Sequence, residues 1–295
     1  MSSTVVQLPK AATAAAAQSP ASVVTHVRFL ADVSPEAKVL RVFREPRPCF
    51  AVEEAAEPSD PARQQLRQEG TDQLIVVLVP GTAAAEAKKF SDRMPETADF
   101  SDASSTISIV VSGRSIKWRP GLALIQGRQG NGEKDSLEGV LAALTDFAFY
   151  EGELRSLERA LDSRERDAQA DVARAYRIRF SDRHHWLRMG ETIESLSQLR
   201  LTYARLESEL AKAPRSVAID ARPVMTRLLD EALVEARLEA ASNRLEAFED
   251  LYEGATDRIA DYRWYLSSEW LEVGIIFLLL AEIVLLGFEL YRHLK

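Results

Sequence analysis

The stretch "LEVGIIFLLLAEIVLLGFEL", residues 271–290, decides what kind of molecule this chain can be. From Trp270 to Leu290 a helix rising about 1.5 Å per residue covers about 30 Å, the thickness of a bilayer's hydrocarbon layer. Between Val273 and Phe288 the only charge is that of Glu282. A soluble core helix of this length normally carries a polar stripe. Trp264, Tyr265 and Trp270 precede the run, and Tyr291, Arg292, His293 and Lys295 follow it. Those residue types are favoured at the two membrane–water interfaces. Residues 270–291 are therefore predicted to form a transmembrane helix, with Trp270, Leu271, Ile275, Ile276, Leu279, Glu282, Ile283 and Leu286 as anchor residues.

Glu282 is the obstacle to that reading. A carboxylate at mid-bilayer costs about 2.5 to 3.5 kcal/mol on insertion scales, and about fifteen apolar neighbours, each worth a few tenths, outweigh it. A protonated carboxyl costs less still. Intramembrane ionisable groups generally face protein or water, so Glu282 is expected to contact a partner helix rather than lie idle in lipid.

The anchor continues a longer pattern. Val234, Leu238, Ala241, Leu245, Phe248, Tyr252, Ala255, Ile259, Tyr262 and Leu266 keep alternating steps of four and three without a miss. A 3.5-residue period sustained over this length is a coiled-coil seam. Two further helices precede it. One is capped by Ser136 and carries Leu137, Val140, Leu144, Phe147, Leu154, Leu157 and Leu161; the other carries Leu196, Leu199, Tyr203, Leu206 and Leu210 and is expected to stop before Pro214. Asp220, followed by Pro223, marks the expected start of the third helix. An antiparallel helical hairpin is the expected arrangement, with self-association through the helices, a homo-oligomer, as the alternative use of the seam.

Residues 22–126 are different in character. "SVVTHVRFL", "AKVLRVF", "LIVVLV" and "STISIVV" are rich in Val and Ile and bounded by Pro, Gly, Ser and Asp, the pattern of short strands. "ISIVVSGRSIKW" reads as a hairpin turning at Gly113-Arg114, and "GTAAAEAKK" (81–89) as a short helix. The fold class expected is α+β: a small N-terminal mixed α/β domain, a long antiparallel helical hairpin, and one transmembrane helix. The expected segments are a disordered arm (1–21), the α+β domain (22–126), a Gly-rich linker (127–135), the helical hairpin domain (136–269) and the transmembrane helix (270–291).

Composition narrows the function. The 295 residues carry a net charge of -8, which argues against broad nucleic-acid binding. With Cys49 as the single cysteine, neither an internal disulfide nor an all-cysteine metal site can form. The N-terminus lacks the Leu-rich run of a secretory signal. The residues before Trp270 are accordingly expected to stay on the cytoplasmic side, held by a tail anchor that inserts after synthesis.

Candidate chemistry is sparse. "GRQGNGEKDS" (127–136) has Gly127, Gly130, Gly132 and Lys134 but not the spacing of a phosphate loop, because Glu133 intervenes before the lysine and no Ser or Thr follows it directly. His184 and His185 are neighbours, so on a helix they diverge by about 100° and cannot chelate one metal as an i, i+4 pair could. No catalytic constellation, cofactor site or metal site is predicted. In "RAYRIRFSDRHHWLRMG", Arg174, Arg177, Arg179, Arg183 and Arg188 interleave with Tyr176, Phe180 and Trp186. Cations with aromatics suit RNA or an anionic surface, and a solvated helix–helix bend explains the same residues.

The terminal pattern Leu271, Glu272, Ile275, Ile276, Leu278, Leu279, Glu282 and Ile283 resembles the C-terminal signature of the required-for-meiotic-nuclear-division proteins, also called the YagE or sporulation-protein family. "LAALTDFAFYE" is similar to a helix of that family, matching Leu141, Ala142, Tyr150 and Glu151, with Leu144 and Thr145 near its serine. "MGETIESLSQLRLTYARLESELAKAP" matches more loosely at Gly190, Arg200, Leu206 and Pro214. The resemblance covers about the last 160 residues; the family's aromatic- and glycine-rich N-terminal strand and its tryptophan after the matched proline are missing. It implies an α/β N-terminal part, a long helical hairpin, a C-terminal membrane anchor and no established enzymatic activity. Mitochondrial members are inner-membrane proteins that support translation by tethering ribosomes, so the resemblance implies the mitochondrial inner membrane if the chain is eukaryotic. The expected function is a tail-anchored membrane scaffold or tether for a macromolecular partner, with ribosome or RNA as the implied one. The alternatives are an enzyme or nucleotide-binding protein with its site in the N-terminal domain, and a soluble coiled-coil oligomer that buries the last helix.

Overall fold

A computed structural model of the chain describes residues 23–54, 72–80, 88, 90, 106–127, 134–175 and 183–293. The strands are β1 (Val23–Leu30), β2 (Lys38–Phe43), β3 (Cys49–Glu54), β4 (Gln73–Pro80), β5 (Ile107–Val111), β6 (Arg114–Arg119) and β7 (Leu122–Gly127). The helices are α1 (Lys134–Ala175), α2 (Arg183–Ser216), α3 (Arg222–Glu231) and α4 (Val234–His293). The expected arm at 1–21 lies outside the described residues. So does most of the expected helix at 81–89, within which Lys88 is helical. The fold class is the α+β one expected: a mixed sheet followed by helices, the last of them long and apolar.

The chain divides into two compact units, Met1–Phe149 with Ala213–Ala232, and Tyr150–Lys212 with Leu233–Lys295. The division therefore runs through α1 and not through the Gly-rich stretch.

The first unit is built on a seven-stranded sheet in the order β2-β3-β1-β4-β7-β6-β5. Only the central pair, β4 with β7, is parallel, with Ile75 opposite Leu122 and Leu78 opposite Ile125. Their sequences show why they sit in the middle. "QLIVVLVP" and "LALIQG" are nearly unbroken apolar runs, as expected of strands covered on both faces, and Leu74, Val76, Val77, Val79, Leu122, Ala123, Leu124 and Ile125 are all buried. The edges are treated differently: β2 carries a register shift between Val39 and Arg41 and exposes Val42, while β5 exposes Val110.

One face of the sheet receives the start of α1. Phe149 stacks on Phe43 with ring centroids 4.0 Å apart, and Phe147 meets Trp118 edge-on at 4.8 Å. That aromatic contact explains why the first turns of α1 belong to the sheet unit. Helix α3 packs on β5 through a face that buries Val224, Met225 and Leu228. The end of α2 returns beside the start of α1, where a side-chain hydrogen bond joins Asp146 and Ser216. A side chain at Gly139 would put its Cβ 3.3 Å from the Asp220 carboxylate, so glycine permits the close approach there.

Several boundaries differ from the sequence expectation, each for a physical reason. Strands β3 and β7 are additional. The β5–β6 turn is Ser112–Gly113, one residue earlier than expected: both residues have positive φ, 51° and 76°, the conformation of a two-residue hairpin turn whose twist matches its strands. Arg114 is then the first residue of β6, paired with Val111. Helix α1 begins at Lys134, before Ser136. Pro214 lies inside the last turn of α2, which ends two residues later at Ser216. The expected third helix is two: α3 stops at Glu231, and Leu233, at φ 51°, breaks the path before α4. Left-handed backbone costs a leucine about 1–2 kcal/mol.

In the second unit α1 and α4 run side by side in the same direction. Arg237 bonds Glu158 and Arg244 bonds Glu165, each pair separated by 79 positions, and Tyr252 bonds Asp171 across 81. A constant offset is what parallel helices produce, since an antiparallel pair would hold the sum of the positions constant. The seam of α4, expected to pack in an antiparallel hairpin, thus packs parallel to α1 instead, and α4 is also reached from α2 by the Arg200 guanidinium, which donates to the Ser242 hydroxyl at 3.4 Å.

Candidate functional site: the clamped and the bare halves of the last helix

Helix α4 is 60 residues long, about 90 Å at the ordinary rise. Its first part is held through a heptad arrangement. Arg237 and Arg244, seven apart, flank the seam on α4; Glu151, Glu158 and Glu165, at the same spacing, line α1. The Arg237 guanidinium donates two parallel bonds to Glu158, both 2.8 Å, and Nη1 donates to both oxygens of Glu151 at 2.9 Å. Arg155 Nε also donates to Glu151, at 2.7 Å. Glu151 is 3% exposed, so its charge needs these partners: an isolated buried carboxylate is costly, and paired, hydrogen-bonded ions are the form in which burial is tolerated. Burial alone lowers the hold of Arg237 on its proton, but the Glu158 bonds and the charges of Glu151 and Glu158 outweigh it and raise its pKa above the ordinary value.

The next tier is wetter. Arg244 Nη2 donates to Asp162 at 2.7 Å and to Glu165 at 2.8 Å, with both carboxylates half exposed or more. The Tyr252 hydroxyl then donates to Asp171 at 3.2 Å. Burial, followed by the Asp171 charge, pushes the Tyr252 phenol up to about 12.

Burial on α4 ends at Ala255. An offset of about 80 positions pairs that residue with Ala175, where α1 ends. Between Thr256 and Gly287 no residue is buried: Ile259, Tyr262 and Leu266 are half-buried, and every residue from Glu269 to Gly287 is exposed. The helix does not stop, and from Val273 its polar outside disappears. Its most apolar window has a mean hydropathy of 2.3, none of it buried. This is one helix long and apolar enough to cross a membrane, attached to a folded α+β body.

The predicted anchor residues Trp270, Leu271, Ile275, Ile276, Leu279, Glu282, Ile283 and Leu286 all lie on this helix and are all exposed. Leu271 is 68% and Leu286 60% accessible. Glu282 is not on the seam. It adjoins Ile283 in sequence, but one helical residue is a turn of about 100°, which puts Glu282 at an outward heptad position.

Arg177 and Arg179 lie outside the described residues, and Arg174, Arg183 and Arg188 are described by backbone only, on α1 and α2. The Gly-rich stretch is described at Gly127 and from Lys134 onward. His184 and His185 are described as helical backbone at the start of α2. Cys49 is buried in β3, and among the described residues no three His, Cys, Asp or Glu side chains gather closely enough to hold a metal ion.

The residues matched to the family helix are structural. Leu144, Thr145 and Glu151 are buried, and the Thr145 hydroxyl donates to the Leu141 carbonyl at 2.8 Å. One charged group in the first unit escaped the sequence reading. Asp146 is 1% exposed and is paired by Arg41, whose Nε donates to it at 2.7 Å and whose Nη2 donates to its other oxygen. Burial pushes the Asp146 carboxyl above its usual range, against the pull of Arg41 and the Ser216 hydrogen bond.

The chain matches no protein-family model and no curated protein. Among solved structures it is similar to the soluble domain of CorA from Methanocaldococcus jannaschii, at 11% identity over 62% of this chain and 86% of that one, with a TM-score of 0.26. It is also similar to the complete CorA magnesium transporter of the same organism, at 10% identity over 85% of this chain and 80% of that one, with a TM-score of 0.28. Scores of this size fix neither family nor activity.

Proposed function

We propose that this chain is a membrane-anchored tether: α4 enters the bilayer from Trp270 onward and holds the α+β body at the membrane surface, where it binds a macromolecular partner. The observation that carries the reading is the wholly exposed apolar length of α4. In water, each buried leucine-sized side chain is worth roughly 1.5–3 kcal/mol relative to exposure, so a bare apolar helix of this size requires an apolar solvent. The partner we assign is the translation machinery, contacted through RNA at the basic stretch Arg174, Arg177, Arg179, Arg183 and Arg188. Five cations with interleaved aromatics suit phosphates and exposed bases, and the family resemblance implies the same partner. The body lies on the cytoplasmic side, or on the inner face of the mitochondrial inner membrane.

Co-sedimentation of ribosomes with membranes carrying the full chain tests the role. Replacing the five arginines with glutamate is expected to abolish co-sedimentation while leaving the protein in the membrane pellet. Undiminished co-sedimentation would remove the basic stretch from the account.

A further inference from the structure

Glu282 sits on a face of α4 with its own make-up, turned away from the seam. Leu271, Ile275, Leu278, Glu282 and Leu285 follow one another in steps of three and four, and all are exposed. Ser267, Gly274 and Ala281 run along one edge of this face, seven apart, small and likewise exposed. A Cβ built on Gly274 would meet nothing within 4 Å. Small residues repeated along one edge of a membrane helix let a second helix approach its backbone closely. The depth of Glu282 matters as much as its neighbours. It lies about 18 Å beyond Trp270 and about 12 Å before Leu290 at the ordinary helical rise. Two methylenes cannot carry its carboxyl to either boundary, whereas the long stems of lysine and arginine near helix ends reach the interface.

We propose that this face docks a transmembrane helix of another protein, one that carries a lysine or arginine at the depth of Glu282. The proposal rests on the anchoring reading, since only in lipid does the carboxylate need such a partner. Ionisable residues in that setting face protein or water and pair with one another. Charge decides between the two occupants that the small residues would admit. A parallel second copy brings its own Glu282 to the same depth, like charge against like. A basic helix brings the opposite charge, and each of the two ions otherwise carries its own insertion cost. Gly274 and Ala281 shorten the distance between backbones on the side where the pair forms. The seam takes no part in this contact, so packing against α1 and docking in the bilayer use different residues of one helix.

Energy transfer in dilute vesicles of neutral lipid is the test, between the dye-labelled full chain and a dye-labelled synthetic helix of about 20 residues. The probe helix is leucine with tryptophan ends and one arginine at the depth of Glu282; the control has leucine in place of the arginine. The chain should bind the arginine helix about tenfold more tightly than the control. Glu282→Gln should bring the two helices level. Gly274→Leu should weaken binding of the arginine helix and leave the control unchanged. Equal binding of the two helices, a preference that survives Glu282→Gln, or binding indifferent to Gly274→Leu would each overturn the proposal. So would transfer between two labelled chains that Glu282→Gln abolishes, which would make a second copy the occupant. Flotation of the chain with the vesicles reports the anchor by itself. A chain that floats without preferring arginine contradicts the docking alone, and a chain that does not float removes the anchor and the docking together.

Discussion

The two halves of α4 are one uninterrupted helix that meets two different demands. From Val234 to Ala255 an apolar stripe is packed, and its flanks are charged: Arg237 and Arg244 reach the glutamates of α1. From Val273 to Gly287 the helix is apolar on every side except at Glu282, and nothing among the described residues covers it. In the first half, charge beside the seam specifies which helix packs where and in which direction. In the second half, the loss of charge specifies a solvent. The seam alone does not separate them, because it runs through both; the residues outside the seam do.

The comparison breaks most sharply if one substitution is made in each half. Leu245→Lys places a cation in a fully buried position and should destabilise the folded body by about 3 kcal/mol or more, leaving membrane retention intact. Leu279→Lys should leave the melting of the body unchanged and cost membrane insertion about 3 kcal/mol. Thermal unfolding and membrane pelleting, measured on both variants, should give opposite patterns. Equal effects of either variant on both measurements would mean that the halves are not independent.

Arg237→Ala comes next. It leaves the buried Glu151 with Arg155 alone, and since breaking a buried pair by removing one partner costs about 3–5 kcal/mol, the loss should approach about 3 kcal/mol. Adding Glu151→Gln should recover part of that loss in denaturant unfolding. Arg244→Ala is the control for the same geometry in water. With both of its carboxylate partners half exposed or more, its removal should cost at most about 1 kcal/mol. A large loss there would show that the outer tier is less solvated than its exposure indicates.

Much of this was legible in the sequence. The α+β class, the seam from Val234 to Leu266 and the apolar run at 271–290 follow from periodicity, because each buries or exposes one repeating set of side chains. The parallel pairing of α1 with α4 had a signal that went unread, namely glutamates at 151, 158 and 165 matched by arginines at 237 and 244, all seven apart. Strand β7 was missed because a strand buried on both faces lacks alternation. The break at Leu233 leaves no trace in composition, since the usual residue for positive φ is glycine and the residue that adopts it here is an exposed leucine. For the candidate site, the residue types at 270–291 were enough to mark a long apolar helix, but placing Glu282 off the seam required following one continuous helix turn by turn.

The smallest effect sharpens the inner half at its far end. The Tyr252 phenol, raised from an ordinary 10.0 to about 12 by burial and the Asp171 charge, keeps its proton in the folded state where the unfolded chain has lost it. Its contribution to stability is therefore present below about pH 10 and lost as pH rises through about 12. Tyr252→Phe should flatten the decline in melting temperature across that window; an unchanged decline would assign it to other groups.

The central claim is that the outer half of α4 is solvated by lipid. An alkaline carbonate wash of membranes, comparing the full chain with one stopped after Ser268, tests it most directly. The account predicts that the full chain stays in the pellet and the shortened chain appears, folded, in the supernatant. Full-length chain released by the wash, alongside the shortened one, would contradict the anchor and make the bare helix a surface for protein instead.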